Sequence, residues 1–184
     1  SRAAIKALQD MHINVGMLTV DNQQKARVIA NQCGNHDVYA EERPDEKASN
    51  VETDQNKGHK VGMVGDGIND APALATADVG MAIGTGTDVA LETAGIILSG
   101  NSLTGVSKAI HLSRATMRTI RQNLFWAFFY NLALIPIAAG ILYPFETAPG
   151  FLRELHPIMA ALAMSVSSVT VVTNSLRLYR TEIK

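Results

Sequence analysis

The first hundred residues alternate between helical and extended hydrophobic patterns. Apolar runs at Val15–Leu18, Val61–Val64 and Val79–Ile83 have the length of buried strands, and stretches with helical periodicity separate them. Short buried strands separated by helices are typical of a parallel sheet covered on both faces, so residues 1–100 are expected to form an α/β domain. Further strands are predicted at Val38–Ala40 and Ile96–Leu98, and helices at Ala3–Met11, Gln23–Cys33, Pro44–Lys57, Asn69–Thr76 and from about Thr87.

The pattern changes after residue 100. Residues 101–122 are predicted to form a basic connecting helix, and two long apolar helices follow at about 123–143 and 157–176. Both apolar runs lack charged residues, and about 20 residues at ~1.5 Å rise each cover the ~30 Å hydrocarbon layer. The pattern therefore predicts a transmembrane hairpin over residues 123–184 with a short basic tail, the alternative being a buried helical pair in a soluble core.

Basic residues predict the orientation of this hairpin. Lys and Arg flank its two outer ends, and the intervening loop holds only Arg153 beside Glu146 and Glu154. Because cytoplasmic flanks carry an excess of Lys and Arg, both ends are expected in the cytoplasm together with the α/β domain, and the chain in the plasma (inner) membrane. The flanking residues are Arg114, Arg118, Arg121, Arg177, Arg180 and Lys184.

Composition excludes two classes of protein. A formal net charge of -1 argues against a globally basic, nucleic-acid-binding protein, and the single Cys33 rules out an internal disulfide and fits reducing cytosol. The chain opens within an amphipathic helix and shows no secretion signal, which leads us to expect a piece cut from a longer protein.

The densest chemical signal is Gly65-Asp66-Gly67-Ile68-Asn69-Asp70, directly after a predicted strand. Ligands of parallel sheets bind beyond the carboxyl ends of the strands, and carboxylate and amide oxygens suit Mg²⁺. A phosphoryl group in a charge-rich transition state also needs a cationic side chain and a hydroxyl donor. Lys47 and Thr19 are the candidates for these two roles.

Each candidate also has a structural interpretation. Lys47 on its own is typical of a solvated surface lysine, and Thr19 and Asp21 are placed to cap the helix that begins near Gln23. Asp70 is placed to cap the Ala71-Pro72 turn in the same way. The Gly-rich segment Ile83–Asp88 matches neither dinucleotide-binding nor Walker spacing and is expected to be a strand-to-helix turn.

Four segments in order resemble the phosphorylation domain of P-type ATPases: Met-Leu-Thr-Val-Asp-Asn, Pro-Asp-Glu-Lys, Val-Gly-Asp-Gly-Ile-Asn-Asp-Ala-Pro-Ala-Leu and Ala-Ile-Gly-Thr-Gly-Thr-Asp-Val-Ala. That domain is haloacid-dehalogenase-like, so the resemblance implies a partial Rossmann-like sheet that works with Mg²⁺ and ATP. It implies that Thr19 holds the transferred phosphoryl group, Asp21 braces the site and Lys47 neutralises charge. Asp66 would ligate Mg²⁺, and Asn69 and Asp70 would organise the ion and the phosphorylated carboxylate.

The sequence departs from this family at two points. Val20 stands where the family usually has Gly, and a branched side chain there is expected to hinder close backbone approach or an unusual dihedral angle. The Asp-Lys-Thr-Gly-Thr segment that carries the phosphorylated aspartate is absent from the sequence. We therefore expect a C-terminal fragment that is inactive alone.

Polar residues lie in both predicted spans, Tyr130 and Asn131 in the first and Ser167 and Ser168 in the second. Met164 lies beside the two serines. At membrane depth such residues serve either helix contacts or a transport path. Together with Asn123 they resemble the copper-exporting branch of heavy-metal P-type ATPases. The resemblance implies a Cu(I) path through Asn123, Tyr130, Asn131, Met164 and Ser168, beside a Cys-Pro-Cys that this sequence lacks.

The ion and the partners follow from the same resemblance. A thioether suits Cu(I) or Ag(I), and neither span holds the lysine and aspartate expected of the zinc and cadmium branch. The implied partners are membrane lipid, the actuator domain, the nucleotide-binding domain and the Cys-Pro-Cys helix of the same pump, and a cytosolic copper chaperone. The competing hypotheses are a catalytically inactive, membrane-anchored binding protein and a soluble phosphatase with a hydrophobic tail.

Overall fold

The protein is described by a computed structural model covering residues 2–35, 37–66, 68–84, 92–100, 102–139, 141–142, 144, 149–150 and 157–180. The chain divides into two compact units, Ser1–Ile110 and His111–Lys184. Each unit is described by itself below.

The N-terminal unit is built of short parallel strands separated by helices, as the hydrophobic pattern predicts. Strand β1 pairs with β2, and β3, β4 and β5 pair in that order, all in parallel. The strands are β1 Gly16–Leu18, β2 Asp37–Tyr39, β3 Gly62–Gly65, β4 Val79–Ile83 and β5 Ile96–Leu98. The helices are α1 Arg2–Asp10, α2 Gln23–Cys33, α3 Pro44–Asn56 and α4 Ala71–Thr76.

Most predicted elements are confirmed to within one or two residues, and one differs in type. The helix predicted over Asn69–Thr76 is a 3-10 turn at Ile68–Asp70 followed by α4. Thr85–Leu91, which includes most of the Gly-rich segment and the helix predicted from about Thr87, lies outside the described residues.

Two apolar clusters form the core of this unit. Val51 of α3, Met63 of β3 and Leu74 of α4 make the first cluster, and Met81, Leu98 and Val106 make the second. Helix α4 packs directly on β4. The closeness shows at Gly80, where an added Cβ atom would lie 2.6 Å from the carbonyl oxygen of Leu74. The clusters fix β3, β4 and the turn between β3 and α4.

The C-terminal unit consists mainly of two long helices. Helix α5 spans Thr104–Ala138, beginning in the N-terminal unit, and α6 spans Pro157–Tyr179. The connecting helix and most of the first predicted span are thus one continuous helix. Among the described residues, no helix combines the length and the hydropathy of a membrane-crossing segment. Residues 140, 143, 145–148, 151–156 and 181–184, which include Arg153 and Lys184, lie outside the described part of the chain.

Candidate functional site

Thr19 follows β1 directly, in a turn held by the segment after β2. The Thr19 amide donates to the Tyr39 carbonyl at 3.0 Å, and the Glu42 amide donates to the Thr19 carbonyl at 3.0 Å. The Thr19 hydroxyl oxygen accepts from the Asp21 amide at 3.1 Å. The hydroxyl proton has no acceptor among the described residues, so it is available to donate to an anionic group such as a phosphoryl oxygen.

The cap of α2 is Asn22, not Thr19 or Asp21. The Asn22 side chain accepts from the Lys25 amide at 2.9 Å, and the backbone of Asn22 is extended, as in an ordinary N-cap. The capping interpretation of Thr19 and Asp21 is therefore wrong. Asp21 braces the turn through its backbone, since its amide orients Thr19 and its carbonyl accepts from the Glu41 amide at 3.0 Å.

Val20 lies between these two residues with its side chain 63% exposed. In the described part of the chain, the residues other than glycine with positive φ are His12 and Glu41. The backbone of Val20 thus takes an ordinary conformation, and the unusual dihedral angle considered from the sequence is not present. What distinguishes this position is an exposed, branched, apolar side chain directly after Thr19 in the sequence.

Lys47 and Asp70 form an ion pair between α3 and the turn after β3. The Lys47 Nζ lies 2.8 Å from the Asp70 Oδ1, and the two side chains are only 9% and 15% exposed. Lys47 is therefore not a solvated surface lysine. Asp70 stands at the N-cap of α4 without making a side-chain cap bond, so its carboxylate is directed to Lys47 instead.

Gly65 makes room for the Asp70 carboxylate. A Cβ atom at Gly65 would lie 2.6 Å from the Asp70 Cβ and 2.8 Å from its Oδ2. Real Cβ atoms do not approach this closely, so only glycine allows Asp70 to fold back over the end of β3. The group that approaches this glycine is thus Asp70, five residues further along the chain.

Asp66 and Asn69 are exposed at the same edge, whereas Gly67 between them lies outside the described residues. Asp66 makes no hydrogen bond with any other residue that the structure describes. No group of three or more His, Cys, Asp or Glu positioned for a metal occurs within the described ranges. Mg²⁺ keeps several waters and is commonly held by one or two carboxylates plus phosphate, so the oxygen donors of this edge fit it.

The predicted site residues fall into two groups that are linked through α3. Thr19 and Asp21 bond to the segment after β2, which leads directly into α3, and Lys47 in the first turns of α3 reaches Asp70. Within the described residues, no hydrogen bond joins Thr19 or Asp21 directly to Asp66 or Asp70.

A second charged cluster lies at the opposite ends of the strands. The Asp78 carboxylate accepts from the Lys60 Nζ at 2.7 Å, the Val61 amide at 3.0 Å and the Gln55 Nε2 at 3.1 Å. Hydrogen bonds from Lys60 and from the Val61 amide hold the Asp78 pKa well below its usual range. Asp78 precedes β4 and Val61 precedes β3, so this cluster stabilises the fold at the amino ends of the strands. Sequence reasoning missed it.

The residues predicted to line a copper path make contacts within their own helices. The Asn131 Nδ2 donates to the Ala127 carbonyl at 2.8 Å, and the Ser168 hydroxyl donates to the Met164 carbonyl at 3.1 Å. The Tyr130 ring lies 5.9 Å from that of Trp126, and Met164 is 71% exposed. Among the described contacts, none joins Tyr130 or Asn131 to Met164 or Ser168.

Asn123 instead belongs to an interhelical amide cluster. Its Nδ2 donates to the Ser175 Oγ at 3.0 Å, and its Oδ1 accepts from the Asn174 Nδ2 at 2.8 Å. Asn174 also donates to the Gln122 Oε1 at 3.2 Å. Both polar ends of the Asn123 side chain are thus engaged by α6, which favours a helix contact over a place on a transport path.

Comparison with known proteins finds a family match for part of the N-terminal unit. Residues 1–78 match the family of haloacid dehalogenase-like hydrolases. The parallel sheet and its helices are haloacid-dehalogenase-like. The expected fold class is confirmed for this part of the chain.

Copper-transporting P-type ATPases are homologues of the chain. Copper-transporting ATPase 1 of Rhizobium meliloti (strain 1021) is 55% identical over 175 residues, covering 95% of this chain and 21% of the relative. The copper-exporting P-type ATPase of Staphylococcus aureus (strain bovine RF122 / ET3-1) is 52% identical over 184 residues, covering 100% and 21%. The chain thus spans about a fifth of the length of these relatives.

Two solved structures of ATPases are also similar to this chain. A zinc-transporting PIB-type ATPase in the E2.Pi state superposes with a TM-score of 0.80 at 38% identity, covering 96% of this chain and 27% of that one. The catalytic domain CopB-B of a CPx-ATPase gives a TM-score of 0.55 at 31% identity, covering 60% and 45%.

Proposed function

We propose that this sequence acts within an ATP-driven P-type pump that exports Cu(I), with Ag(I) as a mimic. The observation that carries the catalytic part of this proposal is the Lys47–Asp70 ion pair. The pair is largely buried, and its carboxylate lies over Gly65. A buried lysine and carboxylate are expensive to desolvate, which favours a role in chemistry over a role in stability. The relatives named above are copper-transporting ATPases, and their matches cover 95% or more of this chain.

In this proposal the pump transfers a phosphoryl group to an aspartate supplied by an Asp-Lys-Thr-Gly-Thr segment outside this sequence. The Thr19 hydroxyl, whose oxygen accepts from the Asp21 amide, donates its proton to a phosphoryl oxygen. Lys47 orients Asp70 and adds positive charge at the site. Asp66, with Asn69 and Asp70 beside it, would hold Mg²⁺, which when bound neutralises charge on the phosphoryl oxygens.

The transported ion is proposed from the chemistry of α5 and α6. Met164 presents an exposed thioether, and the Ser168 hydroxyl uses its proton on the Met164 carbonyl, which leaves its oxygen lone pairs available. Asn131 likewise donates its amide hydrogen to Ala127 and keeps its Oδ1 for a ligand. The thioether is a soft ligand and favours a soft monovalent ion over Zn²⁺. We place these helices in the plasma (inner) membrane with the N-terminal unit in the cytoplasm.

A second candidate function is a membrane-anchored binding protein without catalytic activity, which would carry the same residues. The two functions differ in whether the site at the end of β3 is required for turnover.

The catalytic half is tested in a chimera in which this sequence replaces the matching part of the Rhizobium relative. Asp66→Asn is expected to abolish Cu(I)-stimulated ATPase activity, because the site loses a formal charge where Mg²⁺ would bind. Asp54→Asn is the control, since Asp54 makes a surface ion pair with Lys57 that contributes little. Normal turnover of Asp66→Asn, with unchanged Mg²⁺ dependence, would exclude Asp66 from the site.

The choice of ion is tested in vesicles that contain the same chimera. Met164→Ala is expected to reduce Cu(I) transport about 10-fold or more, as losing a soft ligand weakens binding of a soft ion. Val169→Ala removes a similarly exposed apolar side chain of α6 and should transport normally. Faster transport of Zn²⁺ than of Cu(I), or equal transport by Met164→Ala and Val169→Ala, would rule out the copper assignment.

A further inference from the structure

One face of α5 carries a groove that mixes arginines with large apolar side chains. Arg114, Arg118 and Arg121 line it, spaced by three or four residues so that they share a face of the helix. Its apolar lining includes Met117, Phe125 and Trp126. We call these six residues the basic groove.

Two arginines of this groove have no carboxylate partner in the described part of the chain. Helix α5 contains no Asp or Glu along its whole length. Arg118 and Arg121 are exposed and form no salt bridge with any residue that the structure describes. The neighbouring guanidinium ions of Arg118 and Arg121 therefore complement a phosphate, which a planar guanidinium binds through two parallel hydrogen bonds.

The apolar end of the groove is aromatic and ordered by ring contacts. Phe125 and Trp126 are 60% and 40% exposed, and their rings meet edge to face at 5.5 Å. Trp126 follows Arg121 by about 7–8 Å along the helix axis, at ~1.5 Å rise per residue. Arginine followed by tryptophan at this distance matches the order of headgroup and acyl chain at a membrane surface, where tryptophan is enriched.

We infer that the basic groove binds the headgroup of an anionic phospholipid, with Arg118 and Arg121 on the phosphate and Trp126 at the acyl boundary. The inference rests on the proposed function, which places α5 at the cytoplasmic surface of a membrane. The charge of the groove and the aromatic residues at one of its ends favour a lipid over free phosphate, which would leave Phe125 and Trp126 in water.

The single tryptophan of the chain provides the measurement, because Trp126 alone reports on the groove. The full chain is reconstituted in phosphatidylcholine vesicles that contain an equal mole fraction of either brominated phosphatidylglycerol or brominated phosphatidylcholine. Bromine quenches tryptophan at short range, so the ratio of quenching gives the selectivity for the anionic lipid. Phosphatidylglycerol is expected to be preferred roughly 5-fold for each arginine that contacts it.

Two variants with the same change in net charge separate the groove from bulk charge. Arg118→Gln combined with Arg121→Gln should quench equally with both lipids. Lys25→Gln combined with Arg27→Gln, at exposed positions of α2, should keep the wild-type preference. High salt should remove the preference of the wild type, which tests the same point if the arginine variant does not fold.

The outcomes distinguish this inference from the proposed function. Equal quenching of the wild type by both lipids would overturn the headgroup site and leave the membrane placement intact. Loss of the preference in the α2 variant would overturn it as well, since bulk charge would then be the cause. No quenching by either lipid would place Trp126 outside lipid and overturn both the inference and the membrane placement.

Discussion

At the end of β3, one missing methyl group decides where a carboxylate lies. Gly65 is not one of the described glycines with positive φ, so conformational freedom does not explain why this position needs glycine. Its role is steric, because Asp70 occupies the space that any Cβ would fill. The same carboxylate accepts from Lys47 across the site, so the position of Gly65 also sets the position of the ion pair.

Gly65→Ala should therefore disturb both stability and activity. Overpacking at a well-packed position costs about 1–3 kcal/mol of unfolding free energy, and here the shift moves Asp70 away from Lys47. Urea unfolding of the chain measures the first effect, and ATPase activity of the chimera measures the second. Gly62→Ala in the same strand is the control, since its Cβ would make an ordinary 3.8 Å contact with the Val79 carbonyl. Equal losses in the two variants would show that Asp70 does not depend on Gly65.

The sequence indicated which segments are polar but not how their side chains pair. Thr19, Asp21 and Asn22 are all chemically able to cap α2, and spacing cannot tell which oxygen reaches the free Lys25 amide. Lys47 and Asp70 are 23 residues apart, so their pairing depends on the packing of α3 against the turn after β3. Tertiary contacts of this kind leave no periodic signal in the sequence.

At the scale of elements, Asp78 joins the end of α3 to the starts of β3 and β4. Gln55 comes from the last turn of α3, and Lys60 and Val61 come from the segment that enters β3. A backbone amide and two side chains thus converge on one carboxylate. Its charge is favoured in the folded chain, which is why its pKa is lowered.

This lowered pKa predicts how stability depends on pH. The folded pKa of Asp78 lies below its unfolded value, so the carboxylate stabilises the fold above about pH 4 and loses this effect as pH falls through the folded pKa. Wild type should exceed Asp78→Asn in urea midpoint at neutral pH, and the gap should narrow as the medium becomes acidic. Glu52→Gln, at an exposed position of α3, should leave the midpoint unchanged at all pH values. A difference in urea midpoint that stays constant with pH would exclude the charge of the Asp78 carboxylate as its source.

Element types were predictable where the chain carries clear boundaries. Gly34 and Gly58 have positive φ and directly follow the predicted helices Gln23–Cys33 and Pro44–Lys57. The boundary expected near Gln122 was a change from basic to apolar composition, with no Gly or Pro to end a helix. Composition alters what a helix faces without breaking its hydrogen bonds, so α5 continues to Ala138.

At the scale of the whole molecule, the roles proposed for the site residues require a nucleophile that this sequence does not contain. Thr19 offers a hydroxyl proton, Lys47 a positive charge and Asp66 an exposed carboxylate. In the proposed function all three would act on a phosphoryl group without accepting it covalently. Relatives that share 52–55% identity with the chain are about five times as long, since the chain covers 21% of each. Binding and covalent transfer can therefore be separated by experiment.

The purified chain should neither hydrolyse ATP nor form an acid-stable phosphoenzyme, because an aspartate in an Asp-Lys-Thr-Gly-Thr context is absent from its sequence. The chimera with the Rhizobium relative regains such a segment and should incorporate label from radioactive ATP in the presence of Cu(I). Acid quenching followed by gel electrophoresis compares the two under identical conditions, with Asp66→Asn in the chimera as the negative control. A labelled chain would mean that one of its own carboxylates is the nucleophile, and the roles given to Thr19, Lys47 and Asp66 would then have to be reassigned around that residue.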